Sequence, residues 1–184
     1  MLRTVSRPLT VHDYRELPEG PPYSQLIEGD LIMAPSPDLF HQDILLNLAW
    51  IIRSYLKSNA IGKVAIAPSD VRLTDLNVYQ PDLYFVSNAR KSILSDQGAE
   101  GAPDLVVEIL SPRTARFDKG IKREVYARTG VKELWIIDPI LRQVQVYHLA
   151  RSADVPVATL GEESHLESPL LPALKIQIEN IFAR

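Results

Sequence analysis

The fold is decided by the stretch VYQPDLYFVSNARKSILSDQGAEGAPDLVVEILSPRT, residues 78–114. The pair Pro-Asp occurs twice in it, and each time a short apolar run of β-strand length follows. Asp82 opens the first strand, and Glu108 lies inside the second, with apolar residues on both sides. A strand that is apolar on both faces is typical of the centre of a sheet covered by helices. The stretch therefore predicts a buried sheet with two carboxylates set into it.

The carboxylate of Glu108 needs a physical explanation. Side chains alternate along a strand, so Glu108 shares a face with Val106 and Leu110. An ionised carboxylate on an apolar face is costly unless it is paired, hydrogen-bonded or bound to a cation. Asp82 and Glu108 on neighbouring strands would form a metal clamp, whereas an ion pair with a Lys or Arg of an adjoining helix would be purely structural. The residues alone leave both interpretations open.

The segments around this stretch predict the remaining elements. Residues 24–37 have the pattern of a hairpin around Gly29 with Glu28 in its first strand, and residues 38–59 form an amphipathic helix that Asp38 can cap. Residues 78–87 and 102–111 are each expected to form one strand. A second helix is predicted over residues 116–129, with Gly130 at its C-terminal cap, and strands follow at 132–139 and 142–150. This order predicts an α+β (or α/β) fold with a central mixed β-sheet flanked by helices.

Length and composition favour one domain over residues 1–184. Residues 1–24 are expected to form an N-terminal arm and residues 150–184 a loop-rich C-terminal extension with a last apolar segment. No apolar run approaches 18 residues, and the N-terminus lacks the apolar segment of a signal peptide. We expect a cytoplasmic protein without a membrane partner.

The absence of cysteine excludes disulfides and thiolate metal sites. A metal would therefore be held by Asp, Glu, His or carbonyl groups, which favours a hard cation, Mg²⁺ or Mn²⁺. The chain also lacks a phosphate-binding glycine loop, a zinc pattern and a Gly-x-Ser-x-Gly stretch, so nothing in it supports an NTPase, zinc or serine-hydrolase activity.

One segment, residues 111–128, is clearly basic and begins where the Glu108 strand ends. The net charge of −3 gives the chain no general attraction to nucleic acid, so binding would need such a local patch. Basic helical segments are more often ordinary solvated faces, but a carboxylate pair with a nearby lysine suits metal-assisted phosphodiester hydrolysis. The candidate phosphate-binding residues are Arg113, Arg116, Lys119 and Arg123.

Four strings resemble a large bacterial family of restriction-endonuclease-like proteins, formerly catalogued as a domain of unknown function, in the PD-(D/E)XK nuclease superfamily. They are residues 23–42, 67–87, 101–139 and 144–149. The resemblance covers about residues 10–150 and is most specific over 103–139. It implies a restriction-endonuclease-like core and the activity of a metal-dependent nuclease.

The resemblance also implies roles for individual residues. Pro81-Asp82 matches the PD of the motif, and Glu108 matches its second acidic position. Glu28 matches an upstream acidic residue that adds or orients a metal ligand in part of the superfamily. Asp82, Glu108 and Glu28 are therefore the expected metal ligands.

The chain departs from the motif at its lysine, because Leu110 stands two positions after Glu108. The resemblance suggests that the lysine has moved to the following helix, where Lys122 is the best match and Lys119 the second. Lys122 and Tyr126 are four residues apart and share a helix face. This departure puts catalytic competence in question, but leaves the expected fold unaffected.

His41 and Gln80 are weaker candidates for site helpers, together with Tyr126. A His at the start of a helix is more often a surface or capping residue. Asp104 and Asp138 stand at strand ends, where loop or turn roles are expected.

We predict a Mg²⁺- or Mn²⁺-dependent endonuclease that cuts DNA, with a homodimer as the expected assembly. The alternative is a catalytically impaired nucleic-acid-binding or accessory protein that keeps the nuclease fold. A nuclease acting on RNA or branched DNA also remains open.

Overall fold

The fold is described from a computed structural model, which covers residues 7–18, 20–33 and 36–184. Residues 1–6 and 19 of the expected N-terminal arm lie outside the described residues. The helices are α1 (Val11–Arg15), α2 (Leu39–Ser58), α3 (Ala115–Asp118), α4 (Ile121–Thr129) and α5 (Ile178–Ile181), with a 3₁₀ helix at Asn88–Ile93. The strands are β1 (Ser24–Ile27), β2 (Asp30–Met33), β3 (Gly62–Ile66), β4 (Asp70–Thr74), β5 (Asn77–Tyr79), β6 (Leu83–Ser87), β7 (Gly98–Glu100), β8 (Leu105–Ile109), β9 (Glu133–Asp138), β10 (Gln143–His148), β11 (Ala158–Gly161), β12 (His165–Glu167) and β13 (Lys175–Gln177).

A six-stranded mixed sheet forms the centre of the fold, as predicted. Its strand order is β11-β10-β9-β8-β6-β3. The pair β8–β9 is parallel, and the other pairs in this sheet are antiparallel. A second sheet has the order β2-β1-β5-β4-β7, and β12 pairs with β13. The parallel pair requires a crossover, which α3 and α4 supply between β8 and β9.

The central sheet separates two apolar cores, and alternation along β8 assigns its residues between them. Val107 and Ile109 join the core that contains the buried face of α2, whereas Val106 and Leu110 join the core that contains Tyr126 of α4. Every residue of β8 is buried. The predicted central strand is therefore confirmed, and Glu108 points toward α4 because it shares the face of Val106 and Leu110.

Helix α2 begins and packs as its pattern predicts. The side chain of Asp38 accepts a hydrogen bond from the backbone N–H of His41 at 2.8 Å, which satisfies one free donor of the first turn. Its inner face buries Ile44, Leu48 and Ile52 in the core.

The predicted helix over residues 116–129 is in fact two helices. Helix α3 ends at Asp118, and α4 begins at Ile121 after Gly120, whose dihedral angles are not helical. The i, i+4 pattern continues through the break, which is why the sequence predicted one helix. Gly130 caps α4 in the left-handed conformation at φ 96°, as expected.

Two other elements differ from the prediction. Residues 78–87 form two strands of different sheets, β5 and β6, because the chain turns at Pro81-Asp82. Glu28 lies in the tight turn between β1 and β2, rather than in a strand, and has a positive φ of 50°.

The C-terminal extension is more ordered than predicted. It contains β11, β12, β13 and α5, and its side chains Ile176, Ile178 and Ile181 are buried in the core of α2. Across the described residues, none of the helices combines the length and apolar character needed to cross a membrane.

Candidate active site

The candidate site lies where β6 begins and β8 ends. Leu83 pairs with Val107 in antiparallel register, so Asp82, one residue earlier, lies level with Glu108. The carboxylate of Asp82 is fixed by the backbone N–H of Ile109, which donates to Oδ2 at 2.6 Å. Two adjacent strands thus bring the two predicted carboxylates to one end of the sheet.

His41 reaches this point from the first turn of α2. Its Nε2 lies 3.3 Å from Oδ1 of Asp82, and its side chain is 12% exposed. Burial tends to lower the pKa of His41, but the contact with Asp82 outweighs that effect and raises it. Its Nδ1 is buried without a hydrogen-bond partner among the described residues. The imidazole therefore stands beside Asp82 with one nitrogen unused.

Glu108 is held by two groups from α4. Its Oε1 accepts a hydrogen bond from the hydroxyl of Tyr126 at 2.6 Å and lies 2.5 Å from Nζ of Lys122. Glu108 is 3% exposed. Burial raises the pKa of Glu108 to about 8, with Asp118 and Asp82 acting in the same direction and Lys122 opposing them.

Lys122 bridges two acids. Its Nζ donates to Oδ1 of Asp118 at 2.9 Å, in addition to its contact with Glu108, and its side chain is 3% exposed. Burial alone would lower the pKa of Lys122, but the charges of Asp118 and Glu108 raise it above its ordinary value. Lys122 is therefore held as an ammonium ion at neutral pH.

Sequence reasoning missed Asp118 and Tyr79 as parts of this cluster. Asp118 stands four residues before Lys122, a spacing that could have identified it as an ion-pair partner across the helix break. The ring of Tyr79 lies 5.6 Å from Nζ of Lys122 and meets the ring of Tyr126 edge-on at 5.4 Å. No sequence spacing links Tyr79 to α4, because the two meet only where β5 packs against α4 in the shared core.

The motif position of the lysine is occupied by an apolar side chain. Leu110 is 8% exposed and packs in the core that contains Tyr126. The runner-up lysine, Lys119, lies 3.7 Å from Asp138 and is nearly half exposed. Of the two candidates, the structure brings Lys122 to Glu108.

Two predicted site residues make their recorded contacts elsewhere. Glu28 accepts a hydrogen bond from Asn77 at 3.0 Å and forms an ion pair with Arg128. Gln80 donates to Asp70 at 2.9 Å.

Asp104 and Asp138 have structural contacts, as expected. Asp104 accepts from the backbone N–H of Ser87 at 2.8 Å and lies 2.7 Å from Lys132. Asp138 accepts from the backbone N–H groups of Ile140 and Leu141, which closes the turn after β9.

The basic segment divides into exposed and engaged residues. Arg113, Arg116 and Lys119 are exposed and follow directly after β8. Arg123 is partly buried, lies 3.4 Å from Asp154 and stacks over the ring of Tyr147. These three exposed cations lie close in sequence to the strand end that carries Glu108, whereas the exposed Arg128, in the last turn of α4, pairs with Glu28.

The donor set fits a hard divalent cation with few protein ligands. Among residues 7–18, 20–33 and 36–184, no three or more His, Asp and Glu side chains form a group that could hold a metal ion. Mg²⁺, however, is usually bound by one or two carboxylates and keeps several waters. Asp82 and Glu108 match that requirement, and none of the hydrogen bonds recorded for the described residues involves Oε2 of Glu108.

A family model and a solved structure match this chain. A family model described as "Uma2: Putative restriction endonuclease" matches residues 11–179. The crystal structure of a "putative nuclease belonging to DUF820" from Anabaena variabilis superposes with a TM-score of 0.79 and 24% sequence identity. The match covers 95% of this chain and 98% of that chain, and it shows that the two share a fold. No curated protein matches the sequence.

Proposed function

The chain belongs to the Uma2 family, whose model is described as "Putative restriction endonuclease", and from that premise we propose that it is a metal-dependent endonuclease that hydrolyses phosphodiester bonds of DNA. The observation that carries the proposal is the contact between Lys122 and Glu108, 2.5 Å between Nζ and Oε1. Lys122 thus supplies from α4 the positive side chain that the motif expects at position 110, directly after β8, where this chain has Leu110. A carboxylate pair with an adjacent ammonium group suits metal-assisted hydrolysis of phosphodiester bonds.

Asp82 and Glu108 would hold the Mg²⁺ or Mn²⁺ ion. The bound ion would lower the pKa of the attacking water and offset negative charge on the phosphate. Glu28 would support the metal ligands. Because Glu28 already contacts Asn77 and Arg128, its replacement is expected to reduce cleavage less than replacement of Asp82.

Lys122 would stabilise charge on the phosphoryl oxygens. Its raised pKa keeps it protonated, so it acts as a fixed positive charge and not as a proton acceptor. Asp118 and Tyr126 are positioning residues, since Asp118 holds the ammonium group and the Tyr126 hydroxyl holds the carboxylate of Glu108.

His41 would orient a water or a phosphate oxygen beside Asp82. The unused Nδ1 and the contact of Nε2 with Asp82 support this role. Glutamine at this position can still donate to Asp82 but has no counterpart of Nδ1, so His41→Gln is expected to reduce cleavage. Undiminished cleavage by this variant would show that His41 only fixes Asp82.

DNA is proposed as the substrate, bound through its phosphates by Arg113, Arg116 and Lys119. Arg123 is expected to contribute less because it is partly buried and its guanidinium group stacks over the ring of Tyr147. A cytoplasmic location, as predicted, is part of this proposal. Cutting both strands of DNA needs two sites, which the predicted homodimer would provide.

Nicking of supercoiled plasmid in Mg²⁺ and in Mn²⁺ tests the proposal. We expect cleavage by the wild type and by Asp96→Asn, a variant of an exposed carboxylate outside the site. We expect none by Asp82→Asn or Glu108→Gln. Undiminished cleavage by both site variants would rule out this site.

The second candidate is a catalytically impaired nucleic-acid-binding or accessory protein. It is favoured by the occupied state of Glu108, whose Oε1 already has two partners, and by Leu110 at the motif position. Retarded migration of DNA with no cleavage in either metal, and no rise of the melting temperature with Mn²⁺, would support it. Cleavage assays of the same preparation with RNA and with branched DNA distinguish these substrates from duplex DNA.

A further inference from the structure

Helix α2 presents a row of side chains to solvent on the side opposite the core. The spacing along this row is 4, 3, 4, 3 and 4 residues. We call it the α2 seam, and its members are Leu39, Asp43, Leu46, Trp50, Arg53 and Lys57. Three of them are large apolar residues that are strongly exposed, with 79% for Leu39, 69% for Leu46 and 67% for Trp50.

This pattern differs from the usual outer face of an amphipathic helix. Such a face is normally polar, and exposed apolar residues are common only as scattered single positions. Alternating spacings of four and three residues keep a row of side chains directed at one neighbouring helix. The α2 seam therefore has the form of a helix-pairing surface whose partner is another helix.

The α2 seam is also largely complementary to itself. Its midpoint lies level with residue 48, and each side chain has a counterpart at the same distance on the other side. An antiparallel copy related by a two-fold axis at this midpoint would place Leu46 against Trp50 and Asp43 against Arg53. The outermost pair would place Leu39 against the aliphatic stem of Lys57.

The charges of Asp43 and Arg53 are not used within the helix. They are ten residues apart, which is about 15 Å along the axis, too far for a direct contact. No ion pair is recorded for either of them in the described part of the chain. A second copy would give each charge a partner, and the two-fold axis would form this pair twice.

We propose that a second copy of this chain packs along the α2 seam in an antiparallel, two-fold arrangement. A two-fold interface uses the same surface on both subunits, which is the property that the α2 seam shows and that an unrelated partner would not require. Contact area also favours this arrangement. The turn that carries Ile140 and Leu141, 83% and 63% exposed, lies beside the start of α2, because Arg142 packs over the ring of Phe40 at 5.9 Å.

That turn matters because a stable interface buries at least about 1,200 Å² in total. One pair of helices of about 30 Å offers only a narrow strip. Ile140 and Leu141 would widen the apolar contact at each end of the pair. The proposal does not depend on nuclease activity, and its test measures assembly alone.

The test is sedimentation velocity of the full chain over loading concentrations of about 1 to 100 μM. The wild type is expected to show a species of twice the 20.7 kDa monomer mass. Asp43→Arg and Arg53→Asp each place like charges together twice and are expected to raise the dissociation constant at least about tenfold. The double variant Asp43→Arg/Arg53→Asp exchanges the two charges and is expected to restore dimerisation to within a few-fold of the wild type.

The matched control is Glu163→Arg, which reverses an exposed acid between β11 and β12 and is expected to leave the dimer unchanged. Circular dichroism checks that each variant folds, and Trp50→Glu tests the apolar part independently. A monomeric wild type at every concentration would overturn the proposal. Single charge reversals without effect, or a double variant no better than the singles, would overturn it as well.

Discussion

Lys122 brings to the end of the sheet, from a helix, the positive charge that the motif expects two residues after Glu108. From the sequence, the family resemblance points to this lysine, and the four-residue spacing shows only that it shares a helix face with Tyr126. The four-residue spacing of Asp118 and Lys122 is compatible with an ion pair, but spacing alone does not show that the contact persists across the break at Gly120, which puts the two residues in different helices. The distance of 2.9 Å between Oδ1 of Asp118 and Nζ of Lys122 establishes this contact.

Replacing Lys122 by Met leaves two buried acids without their cation. We expect a loss of about 3–5 kcal/mol in the free energy of unfolding at pH 7, the usual effect of removing one partner from a buried ion pair. Urea denaturation measures it, with Lys119→Met as control because Lys119 is exposed. Adding Asp118→Asn should return part of the loss. Wild-type stability of Lys122→Met would contradict the recorded contacts.

Asp104 predicts a dependence of stability on pH away from the site. Burial alone would raise the pKa of Asp104, but Lys132 and the backbone of Ser87 hold it below its ordinary value of 3.8. A lowered pKa in the folded state stabilises the fold above the ordinary value, and that contribution is lost as the pH falls through the folded pKa.

Asp104→Asn should therefore lower the free energy of unfolding by about 1–2 kcal/mol at pH 7 and by progressively less below pH 3.8. Urea denaturation at pH 7 and at a pH below 3.8 measures this difference, with Asp96→Asn as the control at an exposed position. An equal loss at both would show that the carboxylate charge of Asp104 contributes nothing.

At the scale of elements, long periodic segments were predictable and interruptions were not. The amphipathic pattern of α2, its cap at Asp38 and the burial of β8 were all present in the sequence. The division of residues 78–87 between two sheets was not, because a turn at Pro81-Asp82 leaves the apolar alternation on both sides unchanged. Periodicity reports which face is buried, but not which sheet a strand joins.

The break between α3 and α4 should require glycine. A Cβ at Gly120 would lie 2.8 Å from the carbonyl oxygen of Arg116, closer than side chains approach backbone. We expect Gly120→Ala to lower the free energy of unfolding by about 1 kcal/mol or more and to reduce plasmid nicking, because α4 carries Lys122.

The control for this prediction is Gly161→Ala, since a Cβ there meets nothing within 4 Å. It should leave both stability and nicking near the wild-type values. If Gly120→Ala behaves in the same way, the position of Lys122 does not depend on this break.

At the scale of the whole molecule, the mixed sheet and its flanking helices were predictable, whereas the order of the C-terminal extension was not. Residues 150–184 have few long apolar runs, and their short strands are stabilised by packing on α2 rather than by local pattern. Short elements of this kind depend on contacts with residues distant in the sequence, and secondary-structure propensity does not predict such contacts.

A single domain over residues 1–184 predicts one cooperative unfolding transition. The two cores share the strands β6, β8 and β9, so neither can be lost while the other remains packed. Far-UV circular dichroism and tryptophan fluorescence should give coincident urea curves, because Trp135 is buried and Trp50 is already exposed in the folded chain. Separated midpoints would indicate more than one folding unit.

The groups at the end of the sheet come from widely spaced parts of the chain, from His41 to Tyr126. Each of them is held in position by contacts with groups from other parts of the chain. During synthesis, Asp82 and Glu108 leave the ribosome before Lys122, and the sheet that fixes them still lacks β9 at that moment. Nascent chains and proteolytic fragments that end before α4 therefore carry the acids without their counter-charge. The candidate site is assembled only in the fully folded chain. Chaperones and proteases that act on incompletely folded chains therefore also determine when the site is present.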